Sequence, residues 1–141
     1  MSELTPHLLT IVQDFSYCQG QEKLEYLLEM ADSLEPLPEW LLDERQNMDE
    51  VHECMTPVFI YKESDNGALH FHFDIPPESP TVRGFGAILQ QGLDGATAAQ
   101  VVAVPSDFYL QMGLQEVLTG QRLNGISAML AHMKRLAMDE V

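Results

Sequence analysis

Basic residues are scarce in this 141-residue chain: seven lysines and arginines stand against 22 aspartates and glutamates, so the formal net charge is −15. The imbalance is steepest in residues 1–55, which hold 13 acids and two bases. Nucleic-acid binding depends on Lys and Arg neutralising phosphates, so this composition argues against a nucleic-acid partner. The acidity either serves solubility alone or attracts a basic surface on a protein partner.

Cysteine is also rare, since only Cys18 and Cys54 occur. Without a CxxC pair or a multi-cysteine framework, the chain is typical of a reducing cytoplasm. No apolar run approaches the roughly 20 residues that cross a bilayer, and Met1–Glu3 lacks the basic stretch of a secretory signal. We therefore expect a cytoplasmic protein, without membrane contact, that forms a single domain over residues 1–141.

Hydrophobic periodicity divides the chain into helices, a hairpin and helices again. Thr5-Pro6 is a typical helix start, and Asn66-Gly67 predicts a tight turn between two β-rich runs, 58–61 and 69–75. Apolar faces of helices are predicted from Leu24, Leu27, Leu28, Ala31 and Leu34, from residues 81–91, and from Ile126 through Ala137. The fold class predicted is α+β, a small antiparallel sheet packed on one face by helices.

Cys54 is the strongest candidate for chemistry, because it lies in a short segment before the first β-rich run. A loop thiol can be presented to another molecule, although a free cysteine is as often a small buried hydrophobe. Adjacent Glu53 is expected to raise the thiol pKa, and His52 is the nearest base. No third residue completes a catalytic set, so a stand-alone cysteine hydrolase is not expected. Cys18, at the end of the first helix, is expected only to pack.

A zinc site is the alternative for the same cysteine. His52, Cys54, His70 and His72 are all possible zinc ligands, but no pair has the spacing of a metal finger. The simpler interpretation is that His70 and His72 line the solvent-facing side of the sheet, and we predict no bound metal.

Several segments together resemble the sequence pattern of one protein family. Val51-x-x-Cys54-x-Thr56-x-Val58 resembles the family's V-x-G-C-Q-S-x-V-W, and Thr119 through Met129 (TGQRLNGISAM) resembles S-P-x-R-x-N-G-L-x-A-M. Further matches are Glu22–Leu27 with Leu37-Pro38, Val82-Arg83-Gly84, and Phe108–Leu118. The family with this pattern is the SufE family of sulfur-acceptor proteins in iron–sulfur cluster assembly, and the resemblance to it spans nearly the whole chain, in order.

The resemblance implies a persulfide relay with a SufE/IscU-like fold. Cys54 would accept sulfur from a cysteine desulfurase of the SufS type and pass it to an iron–sulfur scaffold complex. Pyridoxal phosphate belongs to that desulfurase, and no cofactor is expected in this chain. Arg122, which matches the family arginine, and His52 would support Cys54. Two alternatives stay open: an IscU-like scaffold or metallochaperone that uses Cys54 and histidines, and an acidic adaptor with a buried Cys54.

The chain also departs from the family pattern around the cysteine. Glu53 stands where the family usually has glycine, and Met55 and Thr56 replace Gln-Ser. Phe59 takes the position of the tryptophan, and Glu78 is the acidic residue left before the Arg83-Gly84 step. These departures bear on the geometry of the cysteine segment and on the choice of partner.

Overall fold

The computed structural model describes residues 3–53 and 56–140, in which helices pack on one face of a three-stranded antiparallel sheet of order β1-β2-β3. The α-helices are α1 (Pro6–Tyr17), α2 (Gln21–Ala31), α3 (Pro80–Gly92), α4 (Ala98–Ala103) and α5 (Gly120–Met138). The strands are β1 (Asp49–Glu50), β2 (Phe59–Asp65) and β3 (Ala68–Asp74). Single 3₁₀ turns cover Glu39–Leu41, Arg45–Asn47, Phe108–Met112 and Leu114–Glu116. The predicted α+β class is confirmed.

Threonine caps begin three of the helices. Thr5 Oγ1 accepts a hydrogen bond from Leu8 N at 3.2 Å and donates one to the carbonyl oxygen of Gly92, which joins the start of α1 to the end of α3. Thr97 and Gln100 form a complete capping box at α4. Thr119 caps α5, which positions the first turn of the longest helix in the described part of the chain.

The hairpin follows the turn chemistry of its sequence. Asn66 and Gly67 have φ values of 52° and 90°, the left-handed region that a two-residue turn between antiparallel strands requires. Ile60 pairs with Phe73 and Lys62 with Phe71, so these side chains share the face that α3 and α5 cover. The Lys62 ammonium reaches the end of α5, where it donates to Leu136 O at 2.9 Å.

The second face of the sheet is less open to solvent than its alternating pattern predicts. The Trp40 ring centre lies 5.6 Å from those of Tyr61 and His72, and Arg45 bonds Asp74 while lying over the Phe59 ring. As a result the His72 side chain is only 15% exposed. Residues 39–47 form 3₁₀ turns without periodicity, so sequence alone does not show that they cover this face.

Two positions on α2 differ from the sequence prediction. Leu28 was placed on the apolar face, yet it is 38% exposed. Lys23 is buried instead, and its ammonium donates to Phe15 O at 2.9 Å and Met112 O at 3.1 Å. Phe15 lies in the last turn of α1, where its carbonyl oxygen also accepts from Cys18 N at 3.1 Å, and Met112 ends a 3₁₀ turn. The ammonium therefore finds two carbonyl acceptors in the core, which offset the cost of burying a lysine there.

None of the helices formed by residues 3–53 and 56–140 combines the length and apolar character that a membrane crossing demands.

Candidate functional site

A cleft of about 700 Å³ opens where the first turns of α3 and α5 meet the segment between β1 and β2. Its walls include Glu53, Thr56, Glu78, Ser79, Thr119 and Arg122. Ser79 is the residue before α3 and Thr119 the residue before α5, so both helices direct their amino-terminal ends at this cleft. The starts of α3 and α5 therefore form part of the walls of the cleft, and Glu53 and Thr56 line it from the chain before β2.

Cys54 and Met55 lie outside the described residues. The residues on either side of them, Glu53 and Thr56, both line the cleft. The segment that carries Cys54 therefore leaves the described structure at the cleft and re-enters it there.

Each end of this segment is hydrogen-bonded to a helix or to its cap. Glu53 Oε1 accepts from His132 Nε2 on α5 at 2.9 Å. Thr56 Oγ1 lies 3.1 Å from Ser79 Oγ at the start of α3. Two short polar contacts thus fix Glu53 and Thr56 relative to the two helices.

His132 is itself held from its other side. Its Nδ1 lies 2.5 Å from Asp49 Oδ2 in β1, and the His132 side chain is only 4% exposed. Arg135, one turn further along α5, donates to the same Asp49 oxygen at 3.2 Å, and the same guanidinium nitrogen lies 2.6 Å from His132 Nδ1. The hydrogen bond from His132 holds the pKa of Glu53 below its usual value, so this carboxylate stays ionised near neutral pH.

Arg122 faces the cleft from the first turn of α5, where its backbone N–H donates to Thr119 Oγ1 at 3.3 Å. Its guanidinium forms no ion pair with residues 3–53 or 56–140, whereas Arg45 and Arg135 are each paired with an aspartate. Two helix amino-termini and this arginine give the cleft a positive contribution within a strongly acidic molecule. Glu53 and Glu78 oppose it, although the Glu53 carboxylate is already bonded to His132.

The histidines proposed as metal ligands are each engaged separately. His70 Nδ1 lies 2.6 Å from Asp94, and this hydrogen bond raises the pKa of His70. His72 bonds Glu63 at 2.7 Å, and His52 lies 3.8 Å from Glu50 and is not among the residues that line the cleft. Among residues 3–53 and 56–140, no group of three or more His, Cys, Asp or Glu side chains is arranged to hold a metal ion.

Sequence reasoning placed Arg122 at the site but missed His132 and Ser79. His132 lies beside the apolar stripe of α5, and helical periodicity alone does not indicate whether a histidine there is buried. Its partners lie 79 and 83 residues away in sequence. Ser79, before Pro80, carried a helix-start signal, but its contact with Thr56 depends on the tertiary fold.

Comparisons with known proteins, by family profile, sequence and structure, all find SufE-like or structurally similar proteins. The family profile of SufE, described as an Fe-S metabolism associated domain, matches residues 9–137. An uncharacterised SufE-like protein of Mycobacterium tuberculosis is 44% identical over 135 residues, covering 95% of this chain and 93% of the relative. The sulfur acceptor protein CsdE of Escherichia coli is 30% identical over 113 residues, covering 79% of this chain and 74% of that relative. A solution structure of a hypothetical protein from Thermus thermophilus superposes with a TM-score of 0.84 at 31% identity, covering 96% of each chain.

Proposed function

This chain belongs to the SufE family, and from that premise we propose that it accepts sulfur on Cys54 from a cysteine desulfurase and passes it on for iron–sulfur cluster assembly. The name of its relative CsdE, a sulfur acceptor protein, supports this role. The structural observation that carries the proposal is the cleft: Glu53 and Thr56, which flank the Cys54 segment, both line it together with Arg122.

The proposed step is a sulfur exchange without net redox change. The desulfurase carries a persulfide on its own cysteine. Cys54 Sγ, as thiolate, attacks the outer sulfur of that persulfide. A new S–S bond forms on Cys54, the S–S bond on the desulfurase breaks, and the desulfurase cysteine leaves as a thiolate that takes up the proton lost by Cys54. The chain thus acts as a sulfur-carrying accessory protein rather than as a stand-alone enzyme.

The charge distribution of the cleft suits an anionic sulfur. Thiolates and persulfides are stabilised near helix amino-termini and beside arginine. The first turns of α3 and α5 supply those groups on the walls of the cleft, together with Arg122, which forms no ion pair with residues 3–53 or 56–140. We assign Arg122 the role of meeting the sulfur anion or an acidic group of the partner. His52, which is exposed and outside the cleft, stays a sequence-based candidate for a supporting role.

The proposed donor is a desulfurase of the SufS type, and the proposed recipient is an iron–sulfur scaffold complex. Pyridoxal phosphate is assigned to the desulfurase, so this chain needs no cofactor of its own for the step above. The acidic amino-terminal part of the chain suits a basic docking surface on either partner. A cytoplasmic setting with reduced thiols fits this chemistry.

Mass spectrometry after incubation with an active desulfurase and cysteine tests the proposal. We expect one added sulfur on Cys54, removable by reductant. Cys54→Ser should abolish sulfur acceptance and stimulation of the desulfurase, whereas Cys18→Ser, the matched control on the other cysteine, should retain both. Unchanged stimulation by Cys54→Ser would overturn the proposal. If an active desulfurase of the same organism adds no sulfur to this protein, the proposal is also overturned, in favour of a scaffold or adaptor role.

A further inference from the structure

We infer that His132 is a positioning residue, which fixes Glu53 and thereby the start of the segment that carries Cys54. This inference rests on the proposed function for its consequence, but its geometry is independent of it. Glu53, His132 and Asp49 form a continuous chain of hydrogen bonds from the cleft to the sheet, which we name the Glu53 clamp.

The clamp begins in the core and ends at the surface. The His132 side chain is 4% exposed, while the Glu53 side chain that it holds is 62% exposed. A surface ion pair between two long side chains is weak, partly because both must be ordered. Here the ring is already ordered by burial, so only the Glu53 side chain loses freedom. The contact can therefore define the position of Glu53.

The other side of the ring explains why His132 is a rigid support. Asp49, which bonds Nδ1, belongs to β1 and pairs with Ile60 in the sheet. Arg135 bonds the same aspartate from α5, so ring, strand and helix are joined at one point. A shift of His132 would disrupt the contacts of its Nδ1 with Asp49 and Arg135.

At the other end of the segment, Thr56 contacts Ser79 at the start of α3. The segment is thus attached to α5 through Glu53 and to α3 through Thr56. Those two helices direct their first turns at the cleft, so the clamp fixes the entrance of the Cys54 segment relative to Arg122.

Asparagine and glutamine at position 132 separate the two contacts of the ring. The side-chain nitrogen of asparagine reaches about as far as Nδ1, and that of glutamine about as far as Nε2. His132→Asn therefore keeps a polar group beside Asp49 and Arg135 and loses the donor for Glu53. His132→Gln does the reverse. Both remove the ring, so a difference between them reports which contact is kept rather than the loss of packing. A loss confined to His132→Asn identifies the contact with Glu53.

The first measurement is hydrogen exchange of the amides in residues 51–58, with the protein alone. We expect His132→Asn and Glu53→Ala to speed this exchange roughly fivefold, the size expected from loss of one hydrogen bond. His132→Gln should stay near the parent rate. Glu50→Ala, which removes a neighbouring carboxylate that does not contact His132, is the matched control and should not change it.

The second measurement is the rate of sulfur acceptance by the same variants. We expect His132→Asn and Glu53→Ala to lower the maximal rate about three- to tenfold, with KM for the desulfurase nearly unchanged, because positioning rather than docking is lost. The double variant should be no worse than either single variant, because both remove one contact. Equal losses in His132→Asn and His132→Gln would overturn the inference, as would an effect of Glu50→Ala equal to that of Glu53→Ala.

The two proposals fail separately. If the parent protein accepts no sulfur but exchange follows the expected pattern, the clamp stands and the proposed function is wrong. If sulfur reaches Cys54 but exchange and rate are unaffected by Glu53→Ala, the clamp is wrong. Glu53 is on the surface, so this variant is expected to fold even if His132→Asn does not.

Discussion

At the scale of single residues, Lys23 is a charged side chain buried in the core. It is 3% exposed and donates to carbonyls near the ends of two elements, Phe15 O in the last turn of α1 and Met112 O at the end of a 3₁₀ turn. A buried ammonium is costly unless it is hydrogen-bonded. These two contacts therefore offset the cost of burying Lys23, and they join α2 to the ends of two other elements.

Replacing Lys23 with methionine, which has a similar length, tests this role. We expect the free energy of unfolding to fall by about 1–2 kcal/mol, because two acceptors lose a charged donor while the apolar stem is kept. Urea denaturation measures it, and Lys134→Met, at a half-buried lysine with no ion pair among the described residues, is the control. Equal stability of Lys23→Met and the parent would mean that the cost of burying the charge cancels its hydrogen bonds.

Single residues were predictable where the signal is local. The cap at Thr5 followed from adjacent sequence and is confirmed. Lys23 and His132 were not predicted, because helical patterns assign polar residues to the exposed face and their partners are distant in sequence. The assignment of Cys54 as acceptor lies outside the described residues and stays a prediction, supported by its flanking residues.

At the scale of elements, the pairing of α2 with α3 depends on the absence of a side chain at Gly84. A Cβ there would lie 2.6 Å from the Leu27 carbonyl oxygen and 2.7 Å from its Cδ1. Gly84 therefore lets the two helices approach more closely than any other residue would allow, and α3 in turn carries Ser79 to the cleft.

Gly84→Ala is expected to lower the free energy of unfolding by about 1–3 kcal/mol through overpacking. The clash involves backbone, so a side-chain rotation does not relieve it. Gly120→Ala is the matched control, because a Cβ at this helical position meets nothing within 4 Å. Thermal or urea unfolding compares the two. A loss in Gly120→Ala as large as that in Gly84→Ala would contradict the packing explanation.

Elements were predictable where periodicity or turn chemistry was strong. The hairpin, the α3 helix and the last helix are confirmed, with Asn66-Gly67 at the turn. The two-residue strand β1 and the covering of the second sheet face by residues 39–47 were not predicted, because short and aperiodic segments carry no pattern. Yet β1 provides Asp49, so the clamp depended on an element that the sequence did not reveal.

At the scale of the whole molecule, charge of one sign dominates. The net charge of −15 is concentrated in residues 1–55. Such a field accelerates encounter with a basic surface and is screened by salt over roughly 10 Å at 0.1 M ionic strength. If the proposed desulfurase presents a basic surface, association should depend on salt even though the chemical step does not.

We therefore expect KM for the desulfurase to rise severalfold between about 0.05 M and 0.3 M salt, while the maximal rate of sulfur acceptance changes little. Steady-state kinetics measure both quantities. The basal rate of the desulfurase alone, over the same salts, separates an effect on association from one on its own chemistry. A KM that does not change with salt would indicate that the acidic residues serve solubility rather than docking.

The attachment of Glu53 to α5 and of Thr56 to α3 sets a reach for the residue that would carry the sulfur. Consecutive Cα atoms are about 3.8 Å apart, so position 54 is one such step from Glu53 and at most two, about 7.6 Å, from Thr56. A long flexible linker could carry a bound group between separate active sites. A segment this short can transfer the sulfur only to a protein that is in direct contact with it. Under the proposed function, this chain would then bind the sulfur donor, dissociate from it and bind the recipient in turn. Turnover of the relay would be limited by the lifetimes of those complexes.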